Sequence, residues 1–175
     1  LSIKKRKNGN EEVKMKNLKR FNPKQEIIAG FWEGTLTQKE LTCIQSFVKR
    51  GYRFHLYSYI DHKVPNTEWI NAEEIVSQTK IKDFPTICAF SDYFRYKLIF
   101  EREVVWTDLD MLMINDLPQT KFIISSEHMK VSGAFKSKKY YKANIGILKF
   151  PLGNAMIGSL IDHIEKNMDK IVKNT

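Results

Sequence analysis

Asp108 and Asp110 stand two residues apart, directly after the run Val104-Val105-Trp106-Thr107. Such a run reads as an apolar strand, and strand alternation turns residues i and i+2 to the same face. The expectation is two carboxylates aimed at one point. Oxygen ligands of this kind suit hard cations, manganese or magnesium, which often complete their shells with substrate phosphate oxygens. A divalent metal held there would neutralise a diphosphate and ease its departure as a leaving group.

The elements that must position this pair are legible as alternating strands and helices. Ile27-Ile28-Ala29-Gly30-Phe31-Trp32 is a short apolar run ending at Glu33-Gly34, a buried strand and a turn. Thr37 and Glu40 have capping-box spacing, Leu41, Ile44 and Val48 follow with helical periodicity, and Gly51 is a stop signal. Phe54 to Tyr59 reads as a second strand, which completes a β-α-β unit and favours a parallel sheet. Trp69-Ile70 is a short strand candidate and Ala72 to Val76 a helical turn. Pro85 marks a helix start, and Ile87, Phe90, Phe94 and Leu98 carry that helix towards Val104. Phe122-Ile123-Ile124 and Ile145-Gly146-Ile147-Leu148 read as further strands, and a last helix starts near Asn154. The fold class is therefore α/β, a single Rossmann-like domain with a mostly parallel central sheet. Ligands of open parallel sheets bind beyond the carboxyl ends of the strands, where Asp108 and Asp110 lie.

Composition narrows the partners. With 42% apolar and 28% charged residues, the chain has the balance of a globular domain. No apolar run approaches the ~18 residues of a membrane span. The start Leu1-Ser2-Ile3-Lys4-Lys5 has no apolar stretch of the secretory kind, so the expected location is the cytoplasm. The formal charge of +9 is unevenly placed: residues 1–24 hold nine Lys/Arg against two Glu, a net of +7, and the rest nets +2. Residues 1–25 read as a basic, flexible tail able to touch an acidic surface, and residues 26–175 as the domain. A basic tail on a near-neutral body gives no reason to expect nucleic-acid binding. Cys43 and Cys88 sit among apolar residues on predicted helices and read as two buried free thiols.

Taken together, Phe90-Ser91-Asp92-Tyr93-Phe94-Arg95-Tyr96, then Leu98, then Val105-Trp106-Thr107-Asp108-Leu109-Asp110 resemble the signature of GT-A glycosyltransferases. The nearest pattern is that of the capsular-polysaccharide, family 32 and α-1,4-galactosyl-type enzymes. Ile28 to Gly34, Ser58-Tyr59, Val64-Pro65, Ser126-Glu127 and Ala143-Asn144-Ile145-Gly146 are similar too, so the resemblance spans about residues 26–165. It departs at Arg102-Glu103, where the family has Gly-Gly, which puts the tight turn before that strand in question.

The resemblance implies a metal-dependent transferase that moves a sugar from a nucleoside-diphosphate sugar, UDP-linked by first expectation, to a glycan or glycoconjugate hydroxyl. Phe31, Trp32, Tyr57 and Tyr59 would border the nucleotide base. Asp92 would help hold nucleotide or sugar hydroxyls, and Arg95 would orient the acidic pair or reach the donor. Asp108 would face ribose and metal, and Asp110 would be the principal metal ligand. Glu127 and Asn144 fall where the family places groups that touch the donor sugar or acceptor. Glu127 is the first candidate for general base if the reaction inverts, although the resemblance leans towards retention. His128 is an extra candidate ligand.

Two other readings compete. One is a nucleotide-sugar-binding or scaffold domain of the same fold, without catalysis. The other is a phosphatase of the haloacid-dehalogenase type. Those enzymes also carry D-x-D after a strand, but normally on the first strand, and with Thr or Val where this chain has Leu112.

Overall fold

The computed structural model describes residues 26–129 and 140–173; the basic segment 1–25 lies outside the described residues. The strands are β1 (Ile27–Phe31), β2 (Arg53–Ser58), β3 (Glu68–Asn71), β4 (Val105–Thr107), β5 (Ile123–Met129) and β6 (Tyr140–Lys149). The α-helices are α1 (Gln38–Val48), α2 (Ile87–Glu101) and α3 (Ala155–Lys173). Two 3-10 turns, Ala72–Glu74 and Gln78–Asp83, join β3 to α2.

The six strands form one mixed sheet in the order β3-β2-β1-β4-β6-β5. β3, β2, β1 and β4 run parallel, while β6 is antiparallel to both β4 and β5. The sheet separates two apolar clusters. On one face Ala29, Phe31, Tyr57 and Trp106 pack against Phe90, Phe94 and Leu98 of α2 and Ile157 and Ile161 of α3. On the other Ile28, Phe54, Leu56 and Val105 pack against Cys43, Ile44 and Phe47 of α1. Apolar side chains on both faces explain why the parallel strands read as continuous apolar runs. The α/β expectation holds, with an antiparallel pair added at one side.

Local chemistry sets the helix ends. Thr37 caps α1: its side chain accepts from the Lys39 amide at 3.2 Å, and its own amide donates to Glu40 Oε2 at 2.8 Å. This is the capping box expected from the Thr-x-x-Glu spacing. Thr37→Ala is expected to cost about 1 kcal/mol, read as a lowered urea midpoint at unchanged slope. Gly51, past the end of α1, takes φ 88°, a conformation that favours glycine. α2 begins one cap later than the proline signal: Thr86 is the N-cap and its hydroxyl accepts from the Ala89 amide at 3.1 Å, so Pro85 precedes the helix rather than opening it. At its other end Arg102 has φ −133° and ψ 145°, and neither Arg102 nor Glu103 takes a positive φ. The turn into β4 therefore needs no glycine, and Arg102-Glu103 fits it.

The order of strands fixes where a ligand can enter. From β1 the chain proceeds through β2 to β3 in one direction, then returns to place β4 on the other side of β1. The loops leaving β1 and β4 thus diverge at the carboxyl ends of two adjacent parallel strands. That divergence opens a crevice, the usual ligand position of such sheets.

Candidate functional site

A cleft of about 510 Å³ lies at this switch point. Phe31, Trp32 and Glu33 reach it from the end of β1, Lys39 and Glu40 from α1, Ser91, Asp92 and Arg95 from α2, and Trp106, Asp108 and Asp110 from β4 and its exit. It brings together six of the residues expected from the sequence: Phe31, Trp32, Asp92, Arg95, Asp108 and Asp110.

The acidic pair is held differently from the strand-spacing expectation. β4 ends at Thr107, and Asp108 to Asp110 lies in a turn, with the Met111 amide donating to the Asp108 carbonyl at 3.3 Å. Strand alternation is therefore not what unites the carboxylates. Leu109, buried between them, anchors the turn into the α1-side core. Gly30 makes room for it: a Cβ at Gly30 would sit 2.8 Å from Leu109 Cδ2 and 3.0 Å from the Thr107 carbonyl oxygen.

Asp108 is fixed from three sides. Its Oδ1 accepts from Arg95 Nη2 at 2.8 Å and from Trp106 Nε1 at 2.8 Å. Its amide donates to the Gly146 carbonyl at 2.7 Å. Its other oxygen, Oδ2, faces Gly146, where a Cβ would lie 3.4 Å away and would also meet Asn144 Oδ1 at 2.8 Å. Gly146 can be there because β5 and β6 change register between Ile124 and Ser125. Across the irregularity the Ser125 hydroxyl donates to the Asn144 carbonyl at 2.7 Å and accepts from the Ile147 amide at 3.2 Å, while Asn144 Oδ1 accepts from the Gly146 amide at 2.7 Å.

Arg95 is the buried cation that pairs with Asp108, and its side chain is only 4% exposed. Its Nη2 also lies 3.0 Å from Asp92 Oδ1, its Nη1 donates to the Ile145 carbonyl at 3.1 Å, and its guanidinium carbon sits 5.0 Å from the centre of the Trp106 ring. Burial nevertheless pushes the Asp108 and Asp92 carboxyls above the ordinary carboxylate range, with Arg95 only partly opposing it. For Asp108 the neighbouring carboxylates Asp110 and Asp92 add a smaller push in the same direction. Among the described residues the cleft is lined by Glu33, Glu40, Asp92, Asp108 and Asp110 together with Lys39 and Arg95, five carboxylates and two cations.

These groups fit a divalent cation. Asp108 offers a held carboxylate with one oxygen uncommitted to Arg95 or Trp106, and Asp110 an exposed one on the same wall. Among the described residues no three His, Cys, Asp or Glu side chains converge on one point. The arrangement suits a cation that takes its remaining ligands from a bound molecule and water, as magnesium does with phosphates. Two buried donors of residues lining the same cleft, Trp32 Nε1 and Arg95 Nε, have no hydrogen-bond partner among the described residues. Buried donors are normally satisfied, so they are candidate contacts for an acceptor-rich ligand.

The remaining expected residues lie elsewhere. Tyr57 is 2% exposed and belongs to the core under α2, so it does not border the cleft as expected. Tyr59 packs edge-on against Phe31 and donates its hydroxyl to the Val76 carbonyl at 2.9 Å, behind the cleft wall. Phe31 itself stacks on Phe94 with centroids 4.4 Å apart, as much core as cleft. Glu127 and Asn144 sit on the β5-β6 pair outside the cleft lining. Glu127 is paired with Lys142 at 3.2 Å and accepts from Asn144 Nδ2 at 3.3 Å, and these contacts hold its carboxyl below the ordinary range. That weakens it as a base, although Asn144, through Gly146, touches the floor beneath Asp108. The side chain of His128 lies outside the described residues. Cys43 is buried as expected; Cys88 is exposed and lines the cleft, because it falls on the outward side of the first turn of α2. Lys39, Gly30 and Gly146 were not singled out from the sequence as site residues. Only the position of Lys39, just after the loop that leaves β1, could have marked it. Among the described residues no helix is long and apolar enough to cross a membrane. No family model matches the chain, and no curated protein matches it.

Proposed function

We propose that this chain is a GT-A-type glycosyltransferase domain that binds a nucleoside-diphosphate sugar in the switch-point cleft. The observation that carries the reading is Asp108, a half-buried carboxylate held by Arg95 and Trp106 in a cleft whose described residues carry surplus negative charge. A cleft of this kind is suited to a cation and its anion together, rather than to an anion alone. The resemblance of Ser91-Asp92, Arg95 and Asp108-Leu109-Asp110 to the donor-site pattern supports the same assignment.

In this reading Asp108 and Asp110 hold manganese or magnesium, which when bound supplies positive charge to the leaving diphosphate. Arg95 keeps Asp108 in one rotamer, so that little reorganisation is needed when the ligand arrives. Trp32 offers an aromatic wall and an N–H donor for the nucleotide. Asp92, at the mouth of the cleft, accepts hydroxyl groups of ribose or sugar. A glycan hydroxyl is the acceptor.

The engagement of Glu127 with Lys142 favours one second reading, a domain that binds the nucleotide sugar without transferring it. Calorimetric titration with UDP and with GDP, each with manganese and with chelator, tests the binding claim. Donor hydrolysis in the same samples separates the two readings. Asp110→Ala is expected to abolish metal-dependent binding at unchanged melting temperature, since this exposed carboxylate contributes little packing. Normal binding by that variant would remove Asp110 from the metal assignment.

A further inference from the structure

Of the two cations that line the cleft among the described residues, Arg95 is held in buried ion pairs and Lys39 is not. Arg95 is buried and tied to Asp92, Asp108 and the Ile145 carbonyl. Lys39 projects from the first turn of α1, on the wall facing the exit of β4. Its Nζ lies 4.0 Å from Asp110 Oδ2, with the two side chains 68% and 58% exposed. An ion pair so exposed contributes little, and either partner can leave it at small cost. Lys39 also has a flexible four-carbon stem, so its ammonium can move without the helix moving.

We propose that Lys39 is a charge-exchange residue: it is the counter-ion of Asp110 in the metal-free cleft, and it passes to a phosphate oxygen of the ligand when a divalent cation takes Asp110. The inference rests on the nucleotide-sugar reading of the cleft. The physical reason is the charge balance of the lining. With five carboxylates and two cations among the described residues of the lining, an incoming diphosphate meets net repulsion from them. A divalent cation on Asp110 offsets part of that repulsion and simultaneously frees Lys39, the exposed cation among the described lining residues. The lysine and the metal then compete for Asp110 but cooperate for the diphosphate. This predicts effects of opposite sign from a single substitution, which neither a solvated surface lysine nor a merely structural one would give.

The test uses the whole chain, its Lys39→Met and Lys39→Arg variants, and two probes. Manganese alone is titrated and followed by the EPR signal of the free ion; UDP is titrated by calorimetry at saturating manganese. Lys39→Met is expected to bind manganese alone about threefold more tightly, because a competing charge is gone. The same variant is expected to bind UDP about tenfold more weakly, because a charge-assisted hydrogen bond to phosphate is lost. Lys39→Arg, which keeps the charge, is expected to restore most of the UDP affinity. If the parent binds both probes and Lys39→Met shows any pattern other than these opposite shifts, the exchange is overturned while the cleft assignment stands. If the parent binds neither probe, the nucleotide-sugar reading fails and the inference fails with it.

Discussion

Arg95→Met is expected to lower folding stability by about 3 kcal/mol, measured as a shift in the urea midpoint at constant slope. Methionine has a similar reach and fills much of the volume, so packing loss is small. The cost comes from what is left behind. The guanidinium is buried, and its Nη2 serves both Asp92 and Asp108 while its Nη1 satisfies the Ile145 carbonyl. Removing it leaves two carboxylates facing each other without a cation and one carbonyl without a donor. Breaking a buried pair from one side typically costs ~3–5 kcal/mol. The lower end applies because Asp108 is 34% exposed and can recover part of its hydration. Arg95→Lys keeps the charge but loses the planar fork, so it cannot serve the carboxylates and the carbonyl together, and an intermediate loss is expected. A methionine variant within 1 kcal/mol of the parent would contradict the role given to Arg95, at the ~0.5 kcal/mol scatter typical of surface substitutions.

Asp108→Asn is expected to do the reverse: stability is kept, and metal-dependent nucleotide binding falls by about a hundredfold or more, as losing a charged partner worth ~3 kcal/mol implies. Asparagine can still present Oδ1 to Arg95 and Trp106, so the hydrogen bonds survive. The charge does not. In the parent, burial raises the Asp108 carboxyl above its ordinary value. A raised carboxylate pKa means that the folded state binds the proton more tightly than the unfolded state. Its contribution to stability is then present below the unfolded pKa and is lost as pH rises through the folded one. At neutral pH the ionised group is therefore a cost, and the variant is expected to be at least as stable as the parent. The difference should shrink as pH is lowered towards about 4, the ordinary carboxylate range. Paired thermal melts across pH, with calorimetry for UDP and manganese, check both halves. A variant clearly less stable at neutral pH, or one that binds normally, would contradict them. Stability given up for function at a binding site is a common trade.

Features carried by local chemistry were legible before the structure. The capping box of Thr37 and Glu40 satisfies amides within one turn, and four residues suffice to specify it. The runs at Ile27 and Val104 announce strands because both faces of a parallel sheet are buried. Asp92, Arg95, Asp108 and Asp110 were legible as a set, and the cleft does unite them. What failed depended on contacts between distant segments. Tyr57 and Phe31 are register partners on neighbouring strands, yet only Phe31 reaches the cleft, because it stands at the last position of β1 and Tyr57 lies deeper under α2. Cys88 and Cys43 look alike in sequence, but one faces the cleft and the other the α1 core. The turn at Asp108 to Asp110 was given strand spacing because it follows the apolar run Val104-Val105-Trp106 directly, but Leu109 is buried in the α1-side core. Its burial is explained by Gly30, nearly eighty residues earlier, and periodicity within one segment carries no trace of that partner.

The position of β6 has a consequence for how the site comes into being. β6 is the last strand along the chain, yet it lies inside the sheet, between β4 and β5. β5, although made earlier, cannot join the sheet until β6 has threaded into its place. The Gly146 carbonyl that receives the Asp108 amide, and the Ile145 carbonyl that receives Arg95, arrive on that same strand. The parallel half of the sheet, β1 to β4, has its pairings within the first 107 residues. The floor of the cleft under Asp108 and Arg95 is therefore complete only once β6 has been made and has paired with β4.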